Sequence, residues 1–377
     1  MTLDRRNFLK ATALAGIGIG VGLARTAAAA APAWPPYRNM VAIDGASGLW
    51  LPFQKGKELA AELAALRASG LSALMLHVAP QGRFWLNDAA FAATKNMLDQ
   101  WRRTAAQHAK HVLIVKSGAD LARAHRERRL GLILWFQGTE PLGEDLDRVA
   151  LFKKRGVRVI QLTHNRRNLV GDGATEPGNA GLSNYGHQVV ERLNAEKIVV
   201  DLAHGSQRTI KEGIAASKAP VLISHTGCRA LADLPRNTRD EELRALAERG
   251  GVAGIIFWPY LRLDTQPMAV DVIRHIEHAI KVAGEDHVGI GTDGSVRAIE
   301  RTPAYEKENR ETIQWMKEDG IFAKERPDDL YTFIPDLNMP NRFEVLGAML
   351  SERGHSEARI AKILGGNFAR VMGEVWG

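Results

Sequence analysis

The stretch that decides the fold is residues 157–204, VRVIQLTHNRRNLVGDGATEPGNAGLSNYGHQVVERLNAEKIVVDLAH. It contains two short apolar runs, at 157–162 and 198–200, separated by a glycine-rich loop and a segment with helical spacing. Polar residues follow each run and lead to His164 after the first and to His204 after the second. Because chemistry collects at the carboxyl ends of parallel strands in α/β proteins, we interpret the stretch as two neighbouring barrel strands that present both histidines to one site.

The same alternation of apolar runs and helical patterns continues along most of the chain. The apolar runs are rich in Val, Ile and Leu, as expected for strands buried on both faces, and the segments between them have apolar residues at three- and four-residue spacing. Strand–helix units repeated in this way predict a (β/α)8 TIM barrel. The predicted strands are 41–44, 73–78, 132–137, 157–164, 198–204, 221–225, 252–257 and 288–293. A further apolar run at 111–115 is interpreted as an extra strand or hairpin.

The chain after the last predicted strand has a different character. Residues 298–340 show no clear period and contain many charges and prolines, which indicates a long excursion over the barrel mouth. Residues 343–376 return to helical spacing. Because no repeat, low-complexity tract or linker divides the chain, we expect residues 32–377 to form a single domain.

The composition excludes several classes of protein. The 377 residues are 45% hydrophobic and 25% charged, which is ordinary for a globular protein. The net charge is +7, and residues 1–31 carry four basic side chains against one acidic one, so the rest of the chain carries +4. That charge is small and scattered, with no basic run interleaved with aromatic residues, so nucleic acid is not expected as a partner. The single cysteine, Cys228, excludes an internal disulfide and a cysteine-rich zinc site.

The first 31 residues have the pattern of an export signal. The segment DRRNFLK at 4–10 resembles the twin-arginine motif, and an apolar run at 11–23 and alanines at 27–31 follow it. The alternative is an uncleaved membrane anchor, which needs roughly 20 apolar residues and therefore a longer run. We predict a cleaved signal at 1–31, export by the twin-arginine machinery, and a periplasmic or otherwise exported location.

Polar side chains lie at the ends of several predicted strands. Gln137 ends the third of these strands, His225 the sixth and Asp293 the eighth, and all should face the same barrel mouth as His164 and His204. Neutral imidazole is the commonest zinc ligand, and a catalytic zinc usually has three protein ligands plus water. We therefore predict a metal site that includes His204 and His225. The other histidines considered are interpreted as packing or surface residues, namely His77, His108, His111, His125, His187, His275, His278 and His287.

Several motifs at these strand ends carry a specific resemblance. They are LTHNRRN at 162–168, GLSNYGHQVVERLN at 181–194, DLAH at 201–204, PVLISHTG at 220–227, PRN at 235–237 and VGIGTD at 288–293. Together they resemble the membrane (renal-type) dipeptidase family, peptidase family M19, within the amidohydrolase-like metal barrels. The resemblance runs from about residue 41 to the C-terminus. It implies hydrolysis of dipeptides with free termini at a site that binds two zinc ions.

The resemblance also implies roles for individual residues. His204 and His225 match the histidine ligands of the family's second zinc. His164 matches a histidine that polarises the scissile region, and Arg236 matches the arginine that holds the substrate carboxylate. Asp293 matches the aspartate that meets the substrate amine and helps to move the proton, a role that suits a carboxylate beside metal-bound water.

The chain departs from the family where the first zinc belongs. The family's strand-one His-x-Asp motif corresponds to Ala46 and Gly48, neither of which can ligate a metal. The bridging glutamate corresponds to Gln137, which is neutral, and Glu140 lies past the strand end and is not expected to replace it. Two dications without bridging and terminal carboxylates would repel each other, so we expect one zinc or none.

The sequence leaves two functions open and disfavours a third. The first is a metallohydrolase with one zinc on His204 and His225, with Gln137 and Asp293 as candidates to complete the coordination. The second is a catalytically inactive or metal-free homologue that binds a ligand or tailors a metabolite. The third, a purely structural protein, gives no reason for polar groups at so many strand ends. In the first two cases the partner is a small peptide or amino-acid-derived molecule with a free carboxylate, and a homodimer is compatible with the sequence.

Overall fold

The structure, a computed structural model, describes residues 34–80, 88–318 and 320–377. The predicted export signal at 1–31 lies outside the described residues. Within them, no helix is both long enough and apolar enough to cross a membrane.

A parallel sheet forms the centre of the described chain. Its order is β10-β1-β2-β4-β5-β6-β7-β8-β9, with β3 paired to β4. Strand β10 comes shortly after β9 and pairs with β1, so the segment 288–295 brings the two ends of the sheet together and the predicted (β/α)8 barrel is confirmed. The strands are β1 (Ile43–Gly48), β2 (Ala73–His77), β3 (Val112–Ile114), β4 (Leu130–Phe136), β5 (Val157–Gln161), β6 (Val199–Asp201), β7 (Leu222–Thr226), β8 (Val252–Ile255), β9 (Val288–Ile290) and β10 (Gly294–Ser295).

The apolar run at 111–115 does form the extra strand β3. It pairs with the first half of β4, from Leu130 to Leu132, while β5 pairs with the second half, from Leu134 to Phe136. Strand β4 therefore pairs with both β3 and β5 along the same edge, and the extra strand does not change the order of the barrel strands.

The strand ends differ from the prediction in two ways. Strand β1 extends through the glycine-rich 45–48 because β2 and β10 both pair with it there. Strands β5 and β6 stop before His164 and His204, which lie in the following loops. His204 and Asp293 have φ values of 62° and 52°, the left-handed conformation that non-glycine residues rarely adopt. Such strained residues cluster at functional sites, because the surrounding structure must hold them there.

Helices cover the outside of the barrel. Ser117, Ser183 and Ser206 each begin a helix by accepting a hydrogen bond from a backbone N–H of its first turn. The helices are α1 (Gly56–Ser69), α2 (Ala89–Gln107), α3 (Gly118–Arg126), α4 (Asp147–Lys154), α5 (Asn184–Ala195), α6 (Gln207–Ala216), α7 (Asp240–Glu248), α8 (Ala269–Ala283), α9 (Pro303–Glu318), α10 (Arg342–Glu352), α11 (Glu357–Ala361) and α12 (Asn367–Trp376).

The excursion at 298–340 lies against the mouth of the barrel, as predicted, but it is not irregular throughout. It contains α9, in which the buried residues Asn309, Ile313 and Met316 face the protein. In the sequence, many charged residues separate these few buried ones. The helical spacing of the buried residues is therefore hard to recognise. Thr312, Trp315 and Met316 of α9 border the cavity above the strand ends.

Two large aromatic side chains occupy the inside of the barrel together with smaller apolar residues. Trp135 of β4 and Phe368 of α12 are fully buried in one apolar cluster with inward residues of several strands. A Cβ atom added to Gly45, Gly254 or Gly289 would lie within about 3.1 Å of the Phe368 ring. These glycines therefore make room for the ring, which closes the barrel on the side away from the strand ends.

Candidate metal centre

Three of the predicted site residues meet above the barrel. His204, His225 and Asp293 each offer a ligand atom, and these atoms lie within 4.8 Å of one another. Within the described residues, no other group of three His, Cys, Asp or Glu side chains meets this condition. The Nε2 atoms of His204 and His225 are 2.8 Å apart.

Neighbouring side chains fix the protonation of both imidazole rings. His204 Nδ1 lies 2.7 Å from Asn165 Oδ1, which can only accept a hydrogen bond. His225 Nδ1 lies 2.8 Å from Ser224 Oγ, whose own proton goes to Asp201 Oδ2 at 2.6 Å. Both Nδ1 atoms therefore donate, and both Nε2 atoms direct lone pairs towards each other. This arrangement fits a cation shared by the two rings, and outer hydrogen bonds of this kind are typical of metal-binding histidines.

The electrostatics of the site also fit a metal. Burial, with the Arg236 charge as a second cause, holds the pKa values of His204 and His225 well below the usual 6.5. Both rings are therefore neutral at pH 7, as metal binding requires. Burial raises the pKa of Asp293 to about 7, against the opposing effects of Arg236 and Gln137.

The backbone around Asp293 is held from two sides. Its N–H donates to Ala46 O at 2.7 Å, and its carbonyl accepts from Trp258 Nε1 at 2.7 Å. Gln137 Nε2 donates to Asp293 Oδ1 at 3.4 Å. Gln137 is thus at the site, but its amide nitrogen and not its oxygen is turned towards the carboxylate.

His164 and Arg236 also lie close to the three ligand candidates. The His164 ring stacks on His204 with 4.1 Å between centroids, and burial lowers the pKa of His164 to about 3. Arg236 is buried, and its Nη2 donates to His225 O at 2.8 Å. Its guanidinium does not border the cavity; it lies 5.8 Å from the Tyr260 ring centroid, and among the described residues its Nε has no hydrogen-bond partner.

The family resemblance expects first-zinc ligands at two positions that hold Ala46 and Gly48 in this chain. Ala46 is fully buried in the same apolar cluster as Trp135. A Cβ added to Gly48 would lie 3.9 Å from the Trp50 ring, so the indole covers that position. The carboxylate of Glu140 packs over Gly138 and does not border the cavity.

A cavity of about 290 Å³ opens above these residues and is bordered by His164, His204, Gln137 and Asp293. A larger cavity of about 580 Å³ lies near the starts of β2 and β4 and contains none of the predicted site residues, so volume alone does not locate the site.

His77 also borders the smaller cavity, which the sequence analysis did not anticipate. It ends β2, and its ring meets Trp135 edge-on with 5.9 Å between centroids. Its buried Nε2 has no hydrogen-bond partner among the described residues, and burial lowers the pKa of His77 to about 4. The strand-end rule that selected His164 and His204 would have found it, but we interpreted it as a packing residue.

The comparisons with known proteins agree with this geometry. The family model for membrane dipeptidase (peptidase family M19) matches residues 35–307, more than half of the chain. "Dipeptidase verJ" of Clonostachys rogersoniana is 27% identical over 285 residues, covering 75% of this chain and 65% of its own. "Dipeptidase tcpJ" of Claviceps purpurea is 28% identical over 304 residues, covering 78% and 64%. The chain thus spans less than two thirds of the length of these relatives.

Solved structures give the same fold. An amidohydrolase from Pseudomonas aeruginosa is 28% identical with a TM-score of 0.76, covering 91% of this chain and 98% of its own. A metallo peptidase from Rhodobacter sphaeroides, liganded with a phosphinate mimic of the dipeptide L-Ala-D-Ala, is 19% identical with a TM-score of 0.72, covering 89% and 99%. The second likeness supports the fold alone.

Proposed function

Because the chain belongs to the membrane dipeptidase family, we propose that it is an exported metallohydrolase with a single zinc site. Its substrate is a dipeptide or a related amide that carries a free carboxylate. The observation that carries the proposal is the pair of imidazole Nε2 atoms, 2.8 Å apart, whose lone pairs face each other beside Asp293. A metal-free ligand-binding homologue, the alternative, would leave these buried lone pairs without a cation, which is electrostatically unfavourable.

The residues present fit one metal ion. His204, His225 and Asp293 would hold it, and a zinc ion bound there supplies Lewis-acid chemistry, lowering the pKa of water and polarising a carbonyl. Among the described residues, a second ion has no comparable group of ligands, because Ala46 and Gly48 offer none. Gln137 brings no negative charge to reduce the repulsion between two dications.

The remaining residues bind the substrate and move protons. His164 is neutral and stacked on His204, so it can donate a hydrogen bond to the oxygen of the scissile amide. Asp293 can accept a proton from the attacking water through the carboxylate oxygen that the metal does not need, and return it to the leaving amine. Gln137 orients Asp293 by its hydrogen bond. Following the family resemblance, we assign the substrate carboxylate to Arg236, whose Nε is an unused donor within the described residues. Its guanidinium lies outside the cavity, so this contact requires the side chain to turn towards the substrate.

Zinc binding to the metal-free protein should depend on pH through Asp293. The carboxyl must lose its proton to bind zinc, and its pKa is raised to about 7, so the ionised fraction grows as the pH rises through 7. The two histidines are already neutral in this range. Affinity measured by chelator competition should be about tenfold stronger at pH 8 than at pH 6. Asp293→Asn should bind more weakly and lose this dependence, whereas a flat profile for the unmodified protein would remove Asp293 from the metal site.

A test of the proposed activity compares a dipeptide with its C-terminal amide. The zinc-loaded protein should hydrolyse the free acid, and Arg236→Lys should lower kcat/KM for it by about 10–100-fold, because lysine cannot reproduce a bidentate, charge-assisted contact. The amide should react slowly with both proteins. Zinc content serves as the control, since Arg236 also supports the His225 carbonyl. No hydrolysis by the zinc-loaded protein would contradict the proposal, and equal rates for acid and amide would remove Arg236 from the binding site.

The proposed location can be tested at the twin-arginine segment. Changing Arg5 and Arg6 to Lys should leave unprocessed protein in the cytoplasm, because the export receptor recognises the arginine pair. Arg25→Lys, outside the pair, is the matched control and should be processed normally. Cell fractionation measures both, and normal processing of the double variant would show that the segment is not such a signal.

A further inference from the structure

Two exposed aromatic side chains stand at the mouth of the active-site cavity. Phe53 is 45% exposed and Trp315 is 49% exposed, and both border the cavity that contains His164 and Asp293. The other large hydrophobic side chains that are exposed in the described chain, such as Leu263 and Val270, do not border it. Exposed aromatic surface that gathers at one opening indicates a binding surface.

The two side chains come from segments that are themselves firmly packed. Phe53 ends a short 3-10 helix after β1, in which Leu51 is buried. Trp315 lies on α9 between the buried residues Ile313 and Met316. The exposure of both rings therefore follows from the direction they face and not from loose packing of their helices.

Further aromatic residues connect this mouth to the metal centre. Trp50 contacts Phe53, with 6.2 Å between ring centroids, and covers the Gly48 position. On another wall, Trp258 stacks on Tyr260 at 6.0 Å with the ring planes 8° apart. Trp258 also donates to the Asp293 carbonyl, so this wall is joined to a proposed metal ligand. A ligand that reaches the metal centre from the mouth passes along aromatic surface.

We propose that Phe53 and Trp315 form a subsite for a large apolar group of the substrate, so that the enzyme prefers dipeptides or dipeptide-like amides with an aromatic or branched aliphatic side chain. This inference rests on the proposed function and specifies its substrate class. Both rings lose contact with water when an apolar group covers them at the mouth, which favours binding in proportion to the area removed. Aromatic rings also offer large contact area with little loss of side-chain entropy.

The test uses two phosphinate dipeptide mimics that differ in one side chain, benzyl or methyl. Dissociation constants are measured by calorimetry on the zinc-loaded full chain. The benzyl mimic should bind about 10–100-fold more tightly than the methyl mimic, as expected for burial of one phenyl group. Trp315→Ala should weaken the benzyl mimic by about tenfold and the methyl mimic by less than about threefold. Trp315→Phe should retain most of the preference.

Leu263→Ala, which removes an equally exposed apolar side chain away from the cavity, is the matched control and should change neither constant. Equal affinity of the two mimics for the unmodified protein, or an equal loss of both in Trp315→Ala, would overturn the subsite while leaving the proposed function in place. Failure of both mimics to bind the zinc-loaded protein would overturn the subsite and the proposed function together.

Discussion

Replacing His204 with Ala should abolish zinc binding and hydrolysis together. The variant removes one of two imidazole ligands and leaves His225 and Asp293, too few for a stable catalytic site. Loss of an orienting partner usually lowers metal affinity by about 10–100-fold, so loss of the ligand itself should lower it further. Asn165→Ala, which removes the partner of His204 Nδ1, should therefore show an intermediate loss. Metal analysis and peptide hydrolysis on the same samples measure the effect.

His187→Ala is the control for this experiment, because His187 is an exposed histidine on α5. Its zinc content and activity should match those of the unmodified protein. The circular dichroism of His204→Ala should show the unmodified helix content, since the ring lies in a loop after β6 and not in the barrel sheet. Full zinc content in folded His204→Ala would place the metal elsewhere.

Phe368→Ala should have the largest effect on stability. The ring is fully buried and occupies the space left by Gly45, Gly254 and Gly289 inside the barrel. Removing it leaves a cavity that rigid strands cannot close, and such substitutions typically lower the free energy of unfolding by about 3–5 kcal/mol. Urea denaturation measures the loss.

Phe53→Ala, the truncation of an exposed phenylalanine, should change the free energy of unfolding by less than about 0.5 kcal/mol. Folded Phe368→Ala should still bind zinc, because α12 approaches the barrel from the side away from the ligands. A loss below about 1 kcal/mol would mean that the ring does not fill a closed barrel.

The barrel was predictable because strands buried on both faces form continuous apolar runs in the sequence. Runs such as 132–136 and 252–257 are continuously apolar, and neighbouring strands pair in chain order. The predicted bounds of strand β1 were wrong because residues 45–48 do not form an apolar run. They are extended through pairing with β10, a contact between segments about 250 residues apart that composition cannot reveal. Helix α9 was missed because few of its residues are buried.

The site was predictable as a set of residue types but not as a geometry. The strand-end rule selected His164, His204 and His225, and the structure brings them together. The rule does not specify which ring nitrogen carries the proton. Asn165 and Ser224 accept hydrogen bonds from Nδ1 of His204 and His225, so the Nε2 lone pairs of the two rings face each other. The exposed aromatic mouth could not be predicted either, because Phe53 and Trp315 come from segments far apart in the chain.

We propose that this member of the dipeptidase family holds one zinc ion where the family resemblance implies two. The metal content of the protein, purified without added zinc, can be determined by mass spectrometry against protein concentration. We expect one zinc per chain, lost in His204→Ala. We expect a content closer to two when Ala46→His, Gly48→Asp and Gln137→Glu are combined. Two tightly bound ions in the unmodified protein would overturn the single-zinc proposal, since other residues would then have to supply the missing ligands.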